Sequence, residues 1–349
     1  MTRVALQGAR ARFVDWVLGM FLAVSLAALP ASVFADADAD ADADATEDYA
    51  IASSKAARTL MLDVTRAGER LVAVGDRGHI LYSLDQGERW QQARVPTRQM
   101  LTALYFVDAR HGWAVGHDAL ILATDDGGLT WRKQHQDPGR EAPLLDVWFR
   151  DVSNGFAVGA YGMLLETQDS GRHWTDVSER LHNDDQYHLN GIAAIQDGGL
   201  FVVGEQGRLW RSADAGASWQ AVESPYTGSW FGVTGTAQPR TLLIYGLRGN
   251  RYRSQDFGDS WQQVELSGEP RAMESGLAGA TLLDNGELVL VGSGGTVLRS
   301  QDAGRSFSVY TRPDRSALSA VVAAAPDRLV LAGQGGLRRA NAAGAPVTP

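Results

Sequence analysis

Six copies of one short box, Ser or Thr-x-Asp followed at fixed distance by a glycine and an aromatic ring, recur along the 349 residues. They occupy positions 83–90, 124–131, 167–174, 212–219, 254–261 and 300–307. Their acids, Asp85, Asp126, Asp169, Asp214, Asp256 and Asp302, stand 41, 43, 45, 42 and 46 positions apart. A period of roughly 40–45 residues is that of a four-stranded propeller blade, a unit that buries its apolar faces only when neighbours stack around it.

A second signature precedes each box: an apolar strand ending in glycine, a short polar turn and another apolar strand. The strand-ending glycines are Gly75, Gly116, Gly159, Gly204, Gly246, Gly292 and Gly333, and only the seventh unit lacks a recognisable box. Alternating apolar residues such as Leu144, Val147 and Phe149, rich in β-branched and aromatic types, read as strands. Glycine pairs such as Gly75/Gly78 and Gly159/Gly162 mark the hairpin between strands two and three, where positive φ is expected. The reading is an all-β, seven-bladed propeller of four-stranded antiparallel blades over residues 49–349. The last unit runs out without a fourth strand, so the N-terminal segment at 49–57 is expected to complete that blade and cover its open edge.

Each box is explained without a ligand. Its carboxylate accepts N–H groups inside its own turn, glycine permits the reversal, and the ring (Trp90, Trp131, Trp174, Trp219, Trp261, Phe307) packs between blades. A calcium loop needs several alternating oxygen ligands and a distal Glu, which Asp125 and Asp126 lack. No metal or other cofactor is expected.

Residues 1–35 hold Arg3, Arg10 and Arg12, then an apolar run and small residues at the cleavage-type positions, as in a secretory signal peptide. The alternating Ala-Asp tract at 36–48 is expected to be an extended tether. The chain contains no cysteine, which removes any disulfide framework and fits a periplasm or lumen. Formal charge is -9 for the whole chain. Most of it belongs to the tether, so the propeller is near balance, and neither nucleic acid nor an acidic membrane surface is an expected partner.

The strand Gly112-Trp113-Ala114-Val115-Gly116, its turn and the box from Thr124 to Trp131 resemble the photosystem II assembly and stability factor (Ycf48/Hcf136-like) family of chloroplasts and cyanobacteria. The stretch from Phe156 to Gly162 carries the same pattern. The resemblance implies a seven-bladed lumenal or periplasmic propeller that is not an enzyme and binds an integral membrane protein or its assembly complex. Relatives in bacteria without photosynthesis imply exporter components of the resistance-nodulation-division class as another possible client. The boxes also resemble the Asp-box (BNR) repeats of sialidases, so a sialidase-like glycoside hydrolase or carbohydrate-binding propeller is the alternative. That chemistry needs an arginine cluster, a Tyr nucleophile with a Glu base and an acid/base Asp.

The face opposite the boxes collects the hairpin turns and the segments entering each innermost strand. It is expected to present Arg58, Asp76, Arg77, Arg98, His117, Asp118, Tyr161, Glu205, Gln206, Trp230, Arg248, Arg315 and Gln334 around a central mouth, with Glu141, His188 and Glu274 among them. Trp230, Arg98, Tyr161, Arg248 and Arg315 lead the binding set, because aromatics and arginines dominate interface energy. Alternating Glu and Arg also allow a salt-bridged rim, and Tyr161 with Glu205 would be the nearest imitation of a nucleophile and base. The loop from His182 to His188 has a metal-like composition, but an interblade loop ordinarily leaves such residues solvated.

Overall fold

The repeat folds as seven sheets arranged in chain order around a channel. The computed structural model describes residues 48–267 and 274–347, which lie in one compact unit, 47–349. The signal segment, and all of the tether except Asp48, lie outside the described residues. No helix among the described residues is long and apolar enough to cross a membrane.

Blade 1 joins Met61–Ala67, Arg70–Gly75, Ile80–Ser83 and Gln91–Gln92 in that order. Blades 2 to 5 repeat the plan from innermost strands Leu101–Phe106, Leu144–Phe149, Leu189–Ile195 and Trp230–Gly235. Blade 6, whose innermost strand is Leu277–Leu282, gains a fifth strand, because Glu265–Ser267 pairs in parallel with Ser306–Thr311. Blade 7 has three strands: Leu318–Ala325, Arg328–Gly333 and Arg338–Asn341.

The core lies between blades. Each of the seven interfaces, including that between blades 7 and 1, holds its own cluster of buried apolar side chains. Second strands such as Gly155–Gly159 and Leu288–Gly292 are buried from end to end, which is why they read as continuous apolar runs. The first glycine of each hairpin pair serves close approach and not positive φ. Gly75 is extended, and a Cβ there would sit 2.2 Å from Leu60 O.

Ring closure takes a different form from the expected N-terminal strand. The edge of blade 7 is met by its own C-terminal turn, where Asn341 N–H donates to Ala345 O and Ala340 bridges Pro346. The N-terminal segment lies beside blade 1, with Ala50 N–H on Val95 O and Ser53 N–H on Gln92 Oε1. It still ties the ends of the chain, since Leu337 N–H donates to Ala57 O at 3.0 Å. Ser319 Oγ adds a bond to Met61 O at 2.9 Å.

Candidate functional site

The hairpin turns between second and third strands and the entries to the innermost strands share one face. At the centre of these turns Arg77, Tyr161, Gln206 and Arg248 hold φ between 54° and 57°. A non-glycine residue in that left-handed region costs on the order of 1 kcal/mol, which the flanking ladders must hold in place.

Three of the expected rim arginines are free. Arg58, Arg248 and Arg315 are exposed and form no ion pair among the described residues. Arg98 is committed to its own N-terminal segment, with Nε 2.8 Å from Asp48 Oδ1 and 2.9 Å from Tyr49 O. Arg77 lies 3.3 Å from Asp76. Glu141 and Glu274 are exposed and pair with none of these arginines, so a salt-bridged rim does not form among the described residues.

His188 stands between Tyr161 and Glu205. Its Nδ1 accepts the Tyr161 backbone N–H at 2.9 Å, its ring meets the tyrosine edge-on at 5.1 Å, and its own N–H donates to Glu205 Oε1 at 2.9 Å. The remaining loop residues make ordinary local contacts. Asp185 lies 3.5 Å from Arg208, whose guanidinium covers Tyr187, and Asn183 braces the turn through Tyr187. Elsewhere on this face His117, Gln206 and Gln334 are exposed, and Asp118 accepts a bond from Gln99.

Trp230 is not a mouth residue. It is fully buried, with its indole N–H on Ser224 Oγ at 3.0 Å and its ring edge-on to Tyr226 and Tyr252. It heads its innermost strand as Met61, Leu101, Leu144, Leu189, Leu277 and Leu318 head theirs, and all of these are buried. The next residue, Phe231, is 38% exposed and lines the channel. With Tyr161 and Leu247, also exposed, it gives this face an apolar component.

Sequence reasoning also missed the channel itself. A cavity of about 270 Å³ opens between the innermost strands, lined among others by Asp63, Asp146, Asn190 and Tyr245. Here side chains reach from one blade to the next. Asp63 Oδ2 accepts Leu104 N–H, Asp146 Oδ2 accepts Ile192 N–H, Thr102 Oγ1 donates to Leu144 O, and Asn190 Nδ2 donates to Trp230 O. Withdrawal from water pushes Asp63 up to about 6 despite two backbone N–H bonds. It pushes Asp146 up to about 7, with the Asp63 charge adding to the effect.

The boxes occupy the opposite face and contact no common centre. In each, the Ser or Thr hydroxyl donates to the Asp and accepts a glycine N–H, as at Ser212, Asp214 and Gly216. The Asp then accepts the N–H four residues on, as from Arg89, Thr130, His173, Ser218, Ser260 and Ser306. No group of three or more His, Cys, Asp or Glu side chains placed to hold a metal occurs among the described residues.

A family model described as photosynthesis system II assembly factor YCF48 matches residues 84–142 and 134–280. The photosystem II assembly protein Ycf48 of Synechococcus sp. (strain JA-2-3B'a(2-13)) is 36% identical over 143 residues, 39% of this chain and 41% of that protein. The chloroplastic stability/assembly factor HCF136 of Cyanidioschyzon merolae is 40% identical over 62 residues, 17% of this chain and 14% of that protein. The matches thus span well under half the length of these curated relatives. Among solved structures, "YCF48 bound to D1 peptide" superimposes with TM-score 0.64 at 18% identity, over 87% of this chain and 95% of that one. YCF48 from Cyanidioschyzon merolae gives 0.63 at 14% identity, over 83% and 97%.

Proposed function

Since this chain belongs to the YCF48 photosystem II assembly factor family, we propose that it is a non-catalytic scaffold. It binds a polypeptide segment of an integral membrane protein at the mouth opposite the boxes. One observation carries the reading: Arg58, Arg248 and Arg315 stand exposed, and unpaired among the described residues, on the face that also exposes Tyr161, Phe231 and Leu247. Free guanidiniums beside exposed apolar rings match backbone carbonyls, carboxylates and apolar side chains of an extended segment. The solved relative named as bound to a D1 peptide supports the same kind of ligand. The photosystem names of the relatives favour a photosystem-type client, and they lend no support to an exporter. The signal-like N-terminus supports action outside the cytoplasm.

Tyr161 and Glu205 do not read as a nucleophile and its base, because Glu205 accepts from the His188 backbone and the His188 ring lies between them. The test is co-purification of the membrane-protein client from the native host. Arg58→Ala/Arg248→Ala/Arg315→Ala should lower client recovery at least tenfold while leaving the circular dichroism unchanged. Undiminished recovery by the folded triple variant overturns the reading.

A further inference from the structure

We propose that the channel below the mouth receives a protonated primary amine: in the assembled complex, the ammonium of a lysine side chain from the client segment. This rests on the mouth being the client-binding face. The channel wall presents acceptors and, among the described residues, no competing cation. Each oxygen of Asp63 and of Asp146 takes one backbone N–H, from Val64 and Leu104 and from Val147 and Ile192. A carboxylate oxygen has about two lone-pair sites, so each keeps roughly one. Asn190 donates its amide N–H to Trp230 O, which leaves its carbonyl oxygen as an acceptor.

Tyr245 supplies an independent sign of a missing partner. It is only 5% exposed and lines the cavity, yet among the described residues its hydroxyl makes no hydrogen bond. That hydroxyl lies over Gly232, where a Cβ would come within 2.3 Å of it. The hydroxyl opens onto the channel, where its donor and its acceptor sites are available to a polar occupant. Among the described residues no Lys, Arg or His lines the cavity.

An ammonium is a compact group with three donors and no acceptor, which suits a wall of this kind. Leu62, Leu145 and Phe231 line the same cavity and offer apolar surface to a methylene stem. The volume of about 270 Å³ holds the five heavy atoms of a butylammonium with space for a few waters, each of roughly 30 Å³. A directly chelated metal fits less well, because the two carboxylates stand on blades 1 and 3 and no third His, Cys, Asp or Glu joins them among the described residues.

The titratable groups around the site act on one another. Asp63 and the phenols of Tyr105 and Tyr245 are the neighbours of Asp146, and both phenols are shifted upward, chiefly by burial and further by the Asp146 charge. Without a cation the two carboxyls keep their protons well above the usual range, and a bound ammonium favours their ionisation. Amine binding is therefore tighter at pH 8.5 than at pH 5.

The experiment titrates the purified protein with n-butylammonium chloride and, as its neutral isostere, n-butanol, following the Asp63 and Asp146 carboxyl carbon resonances by NMR. Expected is saturable binding at pH 8.5, at least tenfold tighter for the amine than for the alcohol, with the preference collapsing at pH 5. Asp146→Asn should lose the preference, and Asp214→Asn, at a corner, should keep it. Equal binding of amine and alcohol overturns the proposal, as does an equal perturbation by NaCl at matched ionic strength. Saturation by CaCl2 at lower concentration than the amine overturns it in favour of a metal site. If Asp146→Asn fails to fold, the amine-to-alcohol ratio on the unaltered protein still decides. Loss of the client in the triple arginine variant, with no amine preference in the channel, would leave the proposed function standing and remove this inference alone.

Discussion

The six corner aspartates and the two in the channel wall do the same thing, accepting backbone N–H groups, yet their ionisation is pushed in opposite directions. At the open corners the donors win. Ser218 through its hydroxyl and N–H, with Ser212, holds Asp214 down to about 2, and His173 does the same for Asp169. At Asp126 partial burial alone would raise the acid, but it is outweighed by the hydroxyls of Thr130 and Thr124 and the N–H groups of Thr130 and Leu129. Asp146 has only two N–H donors, Val147 and Ile192, and it is withdrawn from water, so desolvation wins and its acid rises to about 7. A corner acid stabilises one turn of its own blade. A channel acid ties two blades together, and its charge opposes the fold.

The comparison breaks most easily at a corner. Trp131 is 6% exposed, donates its indole N–H to Gly128 O at 3.1 Å and packs edge-on to Phe106 in the cluster between blades 1 and 2. Trp131→Ala should therefore destabilise by about 3–5 kcal/mol, read from denaturant unfolding. A loss below about 1 kcal/mol would show that the ring is not what joins the blades there. Next in size is Asp126→Ala, which strands the N–H groups of Leu129 and Thr130 and should cost about 1–3 kcal/mol at pH 7. A smaller loss than that of Asp63→Ala at the same pH would erase the contrast between corner and channel.

The blade count and the structural character of the corners were legible because both rest on local chemistry repeated seven and six times. The five-stranded and three-stranded blades were not legible, since edge pairing at Glu265–Ser267 and around Pro346 depends on where chain ends and loops happen to fall. The channel was hidden by a subtler cause. Pairing shifts register between the first and third residues of all seven innermost strands, as between Met61 and Asp63 or Trp230 and Gly232. Simple alternation therefore assigns the wrong side to Trp230 and Phe231. Aligning the strand starts corrects this. Trp230 falls in the buried column with Leu189 and Leu277, and Phe231 falls in the column of Leu62 and Leu145. Asp63 and Asp146 then stand out in a column that elsewhere holds Ala103, Gly191, Gly232, Gly279 and Ala320.

The finest prediction concerns pH. A corner acid with its folded value lowered to about 2 binds fewer protons folded than unfolded, where the ordinary value is 3.8. Its contribution is present above 3.8 and is lost as pH falls towards 2. Asp146, raised to about 7, binds more protons folded than unfolded, so its favourable term is complete below 3.8 and is lost as pH rises through about 7. Asp63 follows the same sign through about 6. Together the two classes place maximum stability on the acid side of neutrality, with a decline from about pH 4 to about pH 7. Asp146→Asn keeps the shape and removes the titration. It should flatten that decline while leaving the acid limb unchanged, as read from unfolding midpoints across the range. An unaltered slope in a folded Asp146→Asn protein would mean that the channel carboxyl is ionised at no expense to the fold, and the contrast with the corners would fail.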